Sequence, residues 1–306
     1  MLEFSNSRNG KEKIGTGQRE DWNERNGLPG SHLRARRRTA RLTMLVVDNI
    51  QLAFGGLKAL SGVSVHANAG KITSVIGPNG AGKTSLFNVI SGFYKPQHGR
   101  LTLDGEDISG LKPSQRAYRG MSRTFQNIAL FHGMSVLDNI KLGAHTKLRT
   151  GVLSAAFRLP LTRREETQLS SEIQRDIIGL LELDHVQHHP VEDLAYGLQK
   201  RVELARALVM KPKLLLLDEP VAGMNREEKR EMSRFVANVR NNWNTTVLLI
   251  EHDMGMVMEI SDHIVVLSFG KPIASGTPDE VRVNPDVIKA YLGTSEEPSS
   301  TKATAA

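Results

Sequence analysis

An α/β fold on a largely parallel sheet is what this sequence predicts, and three observations predict it. From Met44 onward, short apolar runs alternate with longer stretches of helical spacing. The densest runs, Leu214 to Leu217 and Ile264 to Leu267, hold four residues each and read as strands buried on both faces. A glycine-rich turn at 77–82 stands between one short β-branched run and a helix.

Each element follows from its local pattern. Met44 to Phe54 and Ala59 to Gly70 read as strands joined by a turn at Gly55–Gly56. Lys71 to Ile76 is a β-branched strand, and Thr84 to Phe93 has helical spacing. Arg100 to Leu103 is a strand that turns at Asp104–Gly105. Residues 127–193 are mostly helical in pattern, with Ile173 to Leu183 the clearest stretch, and form an insertion in the middle of the core. A helix from Gln199 to Met210 stops before Pro212, and the Leu214 strand follows. A charged helix (Asn225 to Val239), a strand (Thr245 to Ile250), a hairpin (His263 to Gly276) and a helix (Pro285 to Leu292) complete the order. Residues 294–306 read as a disordered tail, and no internal repeat is present.

Composition narrows the class. Over 306 residues, 39% hydrophobic and 24% charged content excludes a collagen-like, mucin-like or wholly disordered chain. The absence of cysteine excludes disulfides, Cys-ligated metals and thiol nucleophiles. No run approaches the roughly 18 apolar residues of a membrane span, and the first thirty residues hold no apolar signal core. A membrane role therefore has to come through a partner. The net charge of +7 suggests nucleic acid or an anionic surface, but its position argues otherwise. Residues 1–43 carry ten Lys/Arg against five Asp/Glu, with Arg34, Arg36, Arg37, Arg38 and Arg41 clustered at their end. They read as a disordered basic leader, with two alternatives: an over-called start upstream of a natural Met44, or an arm that binds nucleic acid or lipid.

Two motifs carry chemistry. Gly77-Pro78-Asn79-Gly80-Ala81-Gly82-Lys83-Thr84 satisfies the phosphate-loop pattern between a strand and a helix. Its glycines let backbone N–H groups converge on an anion, helped by the positive helix end. Lys83 would reach the β- and γ-phosphates, and the Thr84 hydroxyl would meet Mg²⁺. The second motif, Leu214 to Pro220, delivers Asp218 and Glu219 to the carboxyl end of a buried strand. Asp218 would hold Mg²⁺ through water, and Glu219 would polarise an attacking water.

Four further segments set the order of motifs: Thr124-Phe125-Gln126, Leu194-Ala195-Tyr196-Gly197 running on to Arg206, Ala222-Gly223-Met224-Asn225, and Glu251-His252-Asp253. With the first two motifs, this order resembles the ATP-binding subunits of ABC transporters over about 44–293. Within them it looks most like the ATPases of branched-chain amino acid importers. The resemblance implies a P-loop NTPase core with an antiparallel β-subdomain and a helical subdomain at about 127–193. It implies ATP and Mg²⁺ as cofactors, with the site formed by the phosphate loop through Ser85. Phe54 would stack on adenine, unless it is simply a core residue of an edge strand. Gln126 would touch Mg²⁺ or the attacking water, and His252 would contact the γ-phosphate and orient water and Glu219. Asn225 stands where many relatives carry Asp.

At 195–198 the sequence departs from the Ser-Gly-Gly-Gln of many relatives. Ala195 lacks the hydroxyl, Tyr196 replaces a glycine and Leu198 replaces the glutamine, while Gly197 and the helix start remain. The resemblance implies a second ABC ATPase subunit, different or identical, whose nucleotide would face this segment. It also implies permease subunits, indirectly a solute-binding protein, and a peripheral position on the cytoplasmic face of the inner (plasma) membrane. Nucleic acid is not an expected partner. Other cargoes (urea, other amino acids, a lipid) and a soluble nucleic-acid-associated ATPase stay open as alternatives.

Overall fold

The computed structural model describes residues 43–144 and 160–292. The basic leader and the tail expected from the sequence lie outside the described residues, except that Thr43 already belongs to the first strand.

Two long strands open the fold: β1 (Thr43–Phe54) and β2 (Leu57–Asn68), antiparallel across the Gly55–Gly56 turn. Strict alternation would put residues of one parity inward, yet Leu45, Val47, Ile50 and Leu52 are all buried. The register shifts between Val47 and Ile50, where Asn49 has a φ of 48°, so the bulge restores the apolar face. With β4 (His98–Leu103) and β5 (Glu106–Asp107) these strands make a four-stranded antiparallel sheet in the order β2-β1-β4-β5. A second sheet of six strands runs β10-β9-β3-β8-β7-β6. Its members are β3 (Ile72–Ile76), β6 (Met121–Arg123), β7 (Leu214–Asp218), β8 (Thr246–Ile250), β9 (His263–Ser268) and β10 (Lys271–Gly276). All its neighbours pair in parallel except the β9–β10 hairpin.

Every residue of β3, β7 and β8 is buried, because both faces of the sheet are covered. Leu214 and Leu216 pack with α1 (Lys83–Ser91) and the antiparallel sheet. Leu215 and Leu217 face α5 (Tyr196–Leu208) and α6 (Arg226–Trp243). One strand thus serves two cores by the period-two alternation of its side chains.

Between β5 and α5 stand α2 (Pro113–Tyr118), α3 (Val136–Leu142) and α4 (Pro160–Ile173). The last helices are α7 (Met254–Ile260), α8 (Pro278–Arg282) and α9 (Pro285–Leu292). The stretch Ile173 to Leu183, expected as one helix, differs from that expectation. The α-helical turns stop at Ile173, a π-helical turn covers Gln174–Ile178, and turns follow. Its apolar residues Ile173, Ile177, Ile178 and Leu181 still reach the core. The three-residue β6 and the short helices α2, α7 and α8 were not legible in the periodicity, being too short to show one. Among the described residues, no helix is long and apolar enough to cross a membrane.

The carboxyl end of α1 is closed by a buried cation. Arg116 of α2 is 1% exposed, and its Nη1 donates to the carbonyls of Val89 (2.7 Å) and Ile90 (2.6 Å). Its Nε donates to Leu111 O at 3.0 Å. The Val89 and Ile90 carbonyls lie in the last turn of α1, which favours positive charge. Replacing Arg116 with Met strips Ile90 O of its side-chain donor in the interior, while Val89 O keeps the Gly92 amide at 3.1 Å. The expected cost is roughly 2–4 kcal/mol, read as a lower urea midpoint at unchanged slope. A midpoint that does not move refutes the capping role.

Candidate nucleotide site

The carboxyl ends of β3, β6, β7 and β8 lie on one edge of the sheet, so the loops leaving them converge. The loop after β3 turns into α1 through three glycines with positive φ, Gly77, Gly80 and Gly82, and at two of them a side chain would collide. Gly77 has φ 147°, and a Cβ there would lie 2.1 Å from Leu267 O. Gly82 has φ 98°, and a Cβ would lie 2.7 Å from Ala59 O. Both positions need the missing side chain. Lys83, the first residue of α1, is 6% exposed, and its Nζ donates to the carbonyls of Gly77 (2.7 Å) and Pro78 (3.0 Å). Burial pulls its pKa below the ordinary lysine value, against the opposing influence of Glu219 and Asp218.

A cavity of about 410 Å³ opens over this loop. Its lining includes Asn79, Gly80, Ala81, Gly82, Lys83, Thr84 and Ser85, together with Phe54, Gln126, Glu219 and His252. Residues far apart in the sequence therefore share one wall. Phe54 ends β1, is 45% exposed, and meets Tyr94 edge to face with ring centroids 5.2 Å apart. Its place is the cavity rim and not the core.

Glu219 is the centre of the polar wall. Its φ is 48°, a left-handed conformation rarely adopted by a non-glycine residue and enriched at functional sites. Its amide donates to Ile250 O of β8 at 2.9 Å. One carboxylate oxygen, Oε2, accepts from Gln126 Nε2 at 2.8 Å, and Oε1 lies 2.7 Å from His252 Nε2. The loops after β6 and β8 thus hold from both sides a carboxylate carried at the end of β7. Such a group can take a proton from a water positioned in the cavity.

Asp218 lies behind Glu219, only 2% exposed, and Arg123 Nη2 donates to its Oδ2 at 2.8 Å. Burial pushes the Asp218 carboxyl above its usual range, and the Arg123 pair pulls it back. Its other oxygen, Oδ1, is buried without a protein hydrogen bond. An orphaned carboxylate oxygen at the end of β7, together with the Thr84 hydroxyl and the Gln126 side-chain oxygen in the cavity lining, offers hard oxygen donors of the kind that fit Mg²⁺. Gly197 is not brought to this cavity. It lies near the start of α5 against Glu228, whose Oε1 would be 2.4 Å from an added Cβ. Ala195 caps that helix without a side-chain bond, Tyr196 is 44% exposed beside Gly223, and Leu198 packs on the apolar core.

Four residues around the site escaped the sequence reading as functional candidates. Arg123 is the partner of Asp218. Lys200 and Glu203 form a buried pair one turn apart on α5. Lys200 Nζ donates to Gln126 O (3.0 Å), and Glu203 accepts from Phe125 N (3.2 Å). Glu251, 2% exposed, accepts from the amides of Val221 (2.9 Å), His252 (2.8 Å) and Asp253 (3.2 Å). It ties the loop after β7 to the loop that carries His252. A buried acid inside a recognised motif was the available signal for Glu251; the others looked like ordinary helix or strand charges. Asn225 caps α6, its side chain accepting from Glu227 N and Glu228 N, a task that Asn and Asp perform alike.

Comparison with known proteins follows the same lines. The family model described as ABC transporter matches residues 60–222. One described as branched-chain amino acid ATP-binding cassette transporter matches residues 271–297. The chain is 46% identical over 252 residues to the "High-affinity branched-chain amino acid transport ATP-binding protein LivG" of Salmonella typhimurium, covering 82% of this chain and 98% of that protein. It is 45% identical over 250 residues to the BraF protein of the same description from Pseudomonas aeruginosa, with the same coverage. A crystallised ATP-binding cassette of an ABC transporter in its ADP conformation superposes with a TM-score of 0.72 at 33% identity, covering 82% of this chain and 99% of the other.

Removing the Glu251 carboxylate should release His252 without touching the phosphate loop. Glu251→Gln is expected to lower kcat for nucleotide hydrolysis by about tenfold, the ratio given by one lost charge-assisted hydrogen bond. The nucleotide KM should hold. Steady-state assays in parallel decide; a rise in KM at constant kcat contradicts the role.

Proposed function

Because this chain belongs to the family of ABC transporter ATP-binding subunits, an ATPase family, we propose that it hydrolyses MgATP to drive import of branched-chain amino acids through separate permease subunits. The observation that carries the hydrolytic reading is Glu219 held between Gln126 and His252 at the wall of the phosphate-loop cavity. The cargo reading rests on the match over residues 271–297 and on what the relatives are named for transporting.

In this reading the backbone N–H groups of residues 79–84 and the Lys83 ammonium bind the phosphates, and Phe54 packs on the base. Glu219 accepts a proton from water attacking the γ-phosphate. His252 fixes the Glu219 carboxylate and hydrogen-bonds the γ-phosphate, while Gln126 orients the water. Thr84, Asp218 and Gln126 would hold Mg²⁺, which when bound neutralises phosphate charge. The start of α5, with Gly197, serves the nucleotide of a second ATPase subunit. With Ala195 and Leu198 in place of Ser and Gln, that half-site binds through backbone and helix end alone. A different partner subunit is favoured, so that catalysis persists longest at the site containing Glu219.

An apolar groove of about 770 Å³ lies beside Gln126, lined by Phe93, Tyr118, Phe125, Phe131, Leu142 and Met210. Five of these six side chains are substantially exposed in one patch, which suits a helix of the permease. The chain would then sit peripherally on the cytoplasmic face of the membrane, between permease and cytosol. The domain reading that accompanies this is an ATP-binding domain over 44–293 with a helical subdomain near 127–193.

Glu219→Gln should keep nucleotide affinity while turnover falls by about 10²–10⁴-fold. Tight ATP binding with near-normal turnover would remove Glu219 from the chemistry. For the cargo, the chain is to be copurified with its permease and reconstituted. ATP-dependent uptake of labelled leucine supports the proposal, and uptake of urea without leucine overturns it.

A further inference from the structure

Arg123 occupies a position that neither the phosphate loop nor the water-activating trio explains. Its side chain is 9% exposed, and its guanidinium bridges two elements. Nη2 donates to Asp218 Oδ2 of β7 (2.8 Å), while Nη1 donates to Asn88 Oδ1 (2.8 Å) and Ser91 Oγ (3.0 Å) on α1. Three rings surround it, those of Phe125, Phe87 and Phe93, at 5.2, 5.6 and 5.9 Å from its central carbon. Phe87 is wholly buried and serves as a fixed wall. Phe93 and Phe125 are 54% and 42% exposed, and with Arg123 they line the apolar groove.

We propose that Arg123 is a positioning residue that couples the apolar groove to the Mg²⁺ site through Asp218. The inference rests on the nucleotide reading above and adds a route within it. Its ion pair engages one carboxylate oxygen, Oδ2, and leaves the buried Oδ1 for the metal's shell. Nη2 alone meets the carboxylate, and Nη1, bound to Asn88 and Ser91 on α1, fixes the plane of the guanidinium and so the place of that contact, which the single head of an ammonium cannot do. Because the rings on the groove floor hold the guanidinium by cation–π contact, a segment seated there shifts Arg123, and Asp218 with it. Gln126 lines the nucleotide cavity directly, whereas this route runs underneath it, through the interior.

ADP affinity measured by calorimetry with Mg²⁺ and again with EDTA isolates the metal-dependent gain without turnover. Arg123→Met is expected to cut that gain about tenfold, the scale of one lost charge-assisted hydrogen bond, with affinity in EDTA within about twofold of the unaltered chain. Arg123→Lys should restore part of the gain. Phe93→Ala and Phe125→Ala should each lower it about threefold, as loss of one cation–π contact predicts. Thermal melts report folding; should Arg123→Met unfold, the lysine and phenylalanine variants decide. An unchanged gain in Arg123→Met, or equal losses with Mg²⁺ and with EDTA, overturns the positioning role. Phenylalanine variants with a full gain overturn the coupling to the groove. An unaltered chain that binds no ADP sinks the nucleotide reading itself, an outcome distinct from the others.

Discussion

Four parallel strands, β3, β8, β7 and β6, are hydrogen-bonded side by side and end on one edge of the sheet. The rest of the structure depends on that alignment. Parallel pairing forces each strand to return by a crossover, which places helices on the faces and leaves the loops at the carboxyl edge. Lys83, Gln126, Glu219 and His252 leave four different strands, yet their side chains line one cavity. The same alignment lets Glu219 adopt its left-handed backbone, since its amide is satisfied by Ile250 O of the adjacent strand. Strain at that residue is tolerated because neighbouring strands over-determine it.

Buried charges then join the loops that the sheet brings close. Arg116 closes the end of α1, Glu251 ties two loops at the carboxyl edge, and the Lys200–Glu203 pair grips the backbone at Phe125 and Gln126. Burying such groups costs several kcal/mol each unless their hydrogen bonds are met, so apolar packing would be the simpler way to gain stability. Glu251, Lys200 and Glu203 each bond the backbone of a loop that lines, or lies beside, the cavity, whereas Arg116 secures the far end of α1. Arg123 belongs to this set, with the difference that its surroundings reach a second, apolar surface.

Much of the fold was legible from residue pattern, and the failures have physical causes. The long strands and α1, α5, α6 and α9 announced themselves by periodicity and turn residues. β6 spans three residues, and helices of five to seven residues offer at most two turns, too few for a period to be read. The stretch near Ile173 kept its apolar spacing but took a π-helical turn, which pattern alone does not separate from α. The bulge at Asn49 reverses the parity of β1, and the alternation broken there became interpretable only when both halves were seen to face one core.

By itself the sequence determined the phosphate loop, the acidic pair at the end of the buried leucine strand, and the order of motifs that identifies the family. These are written in contiguous residues, because backbone curvature and strand-end placement are local properties of the chain. Tertiary structure alone decided that Gln126 and His252 bracket one carboxylate, that Asp218 has a buried cation for a partner, and that Glu251 joins two loops. Arg123 and Asp218 are 95 residues apart, and Glu251 and Val221 are 30 apart. No local pattern encodes such a pair, since its energy exists only once the parallel sheet has brought both loops out of water and against each other.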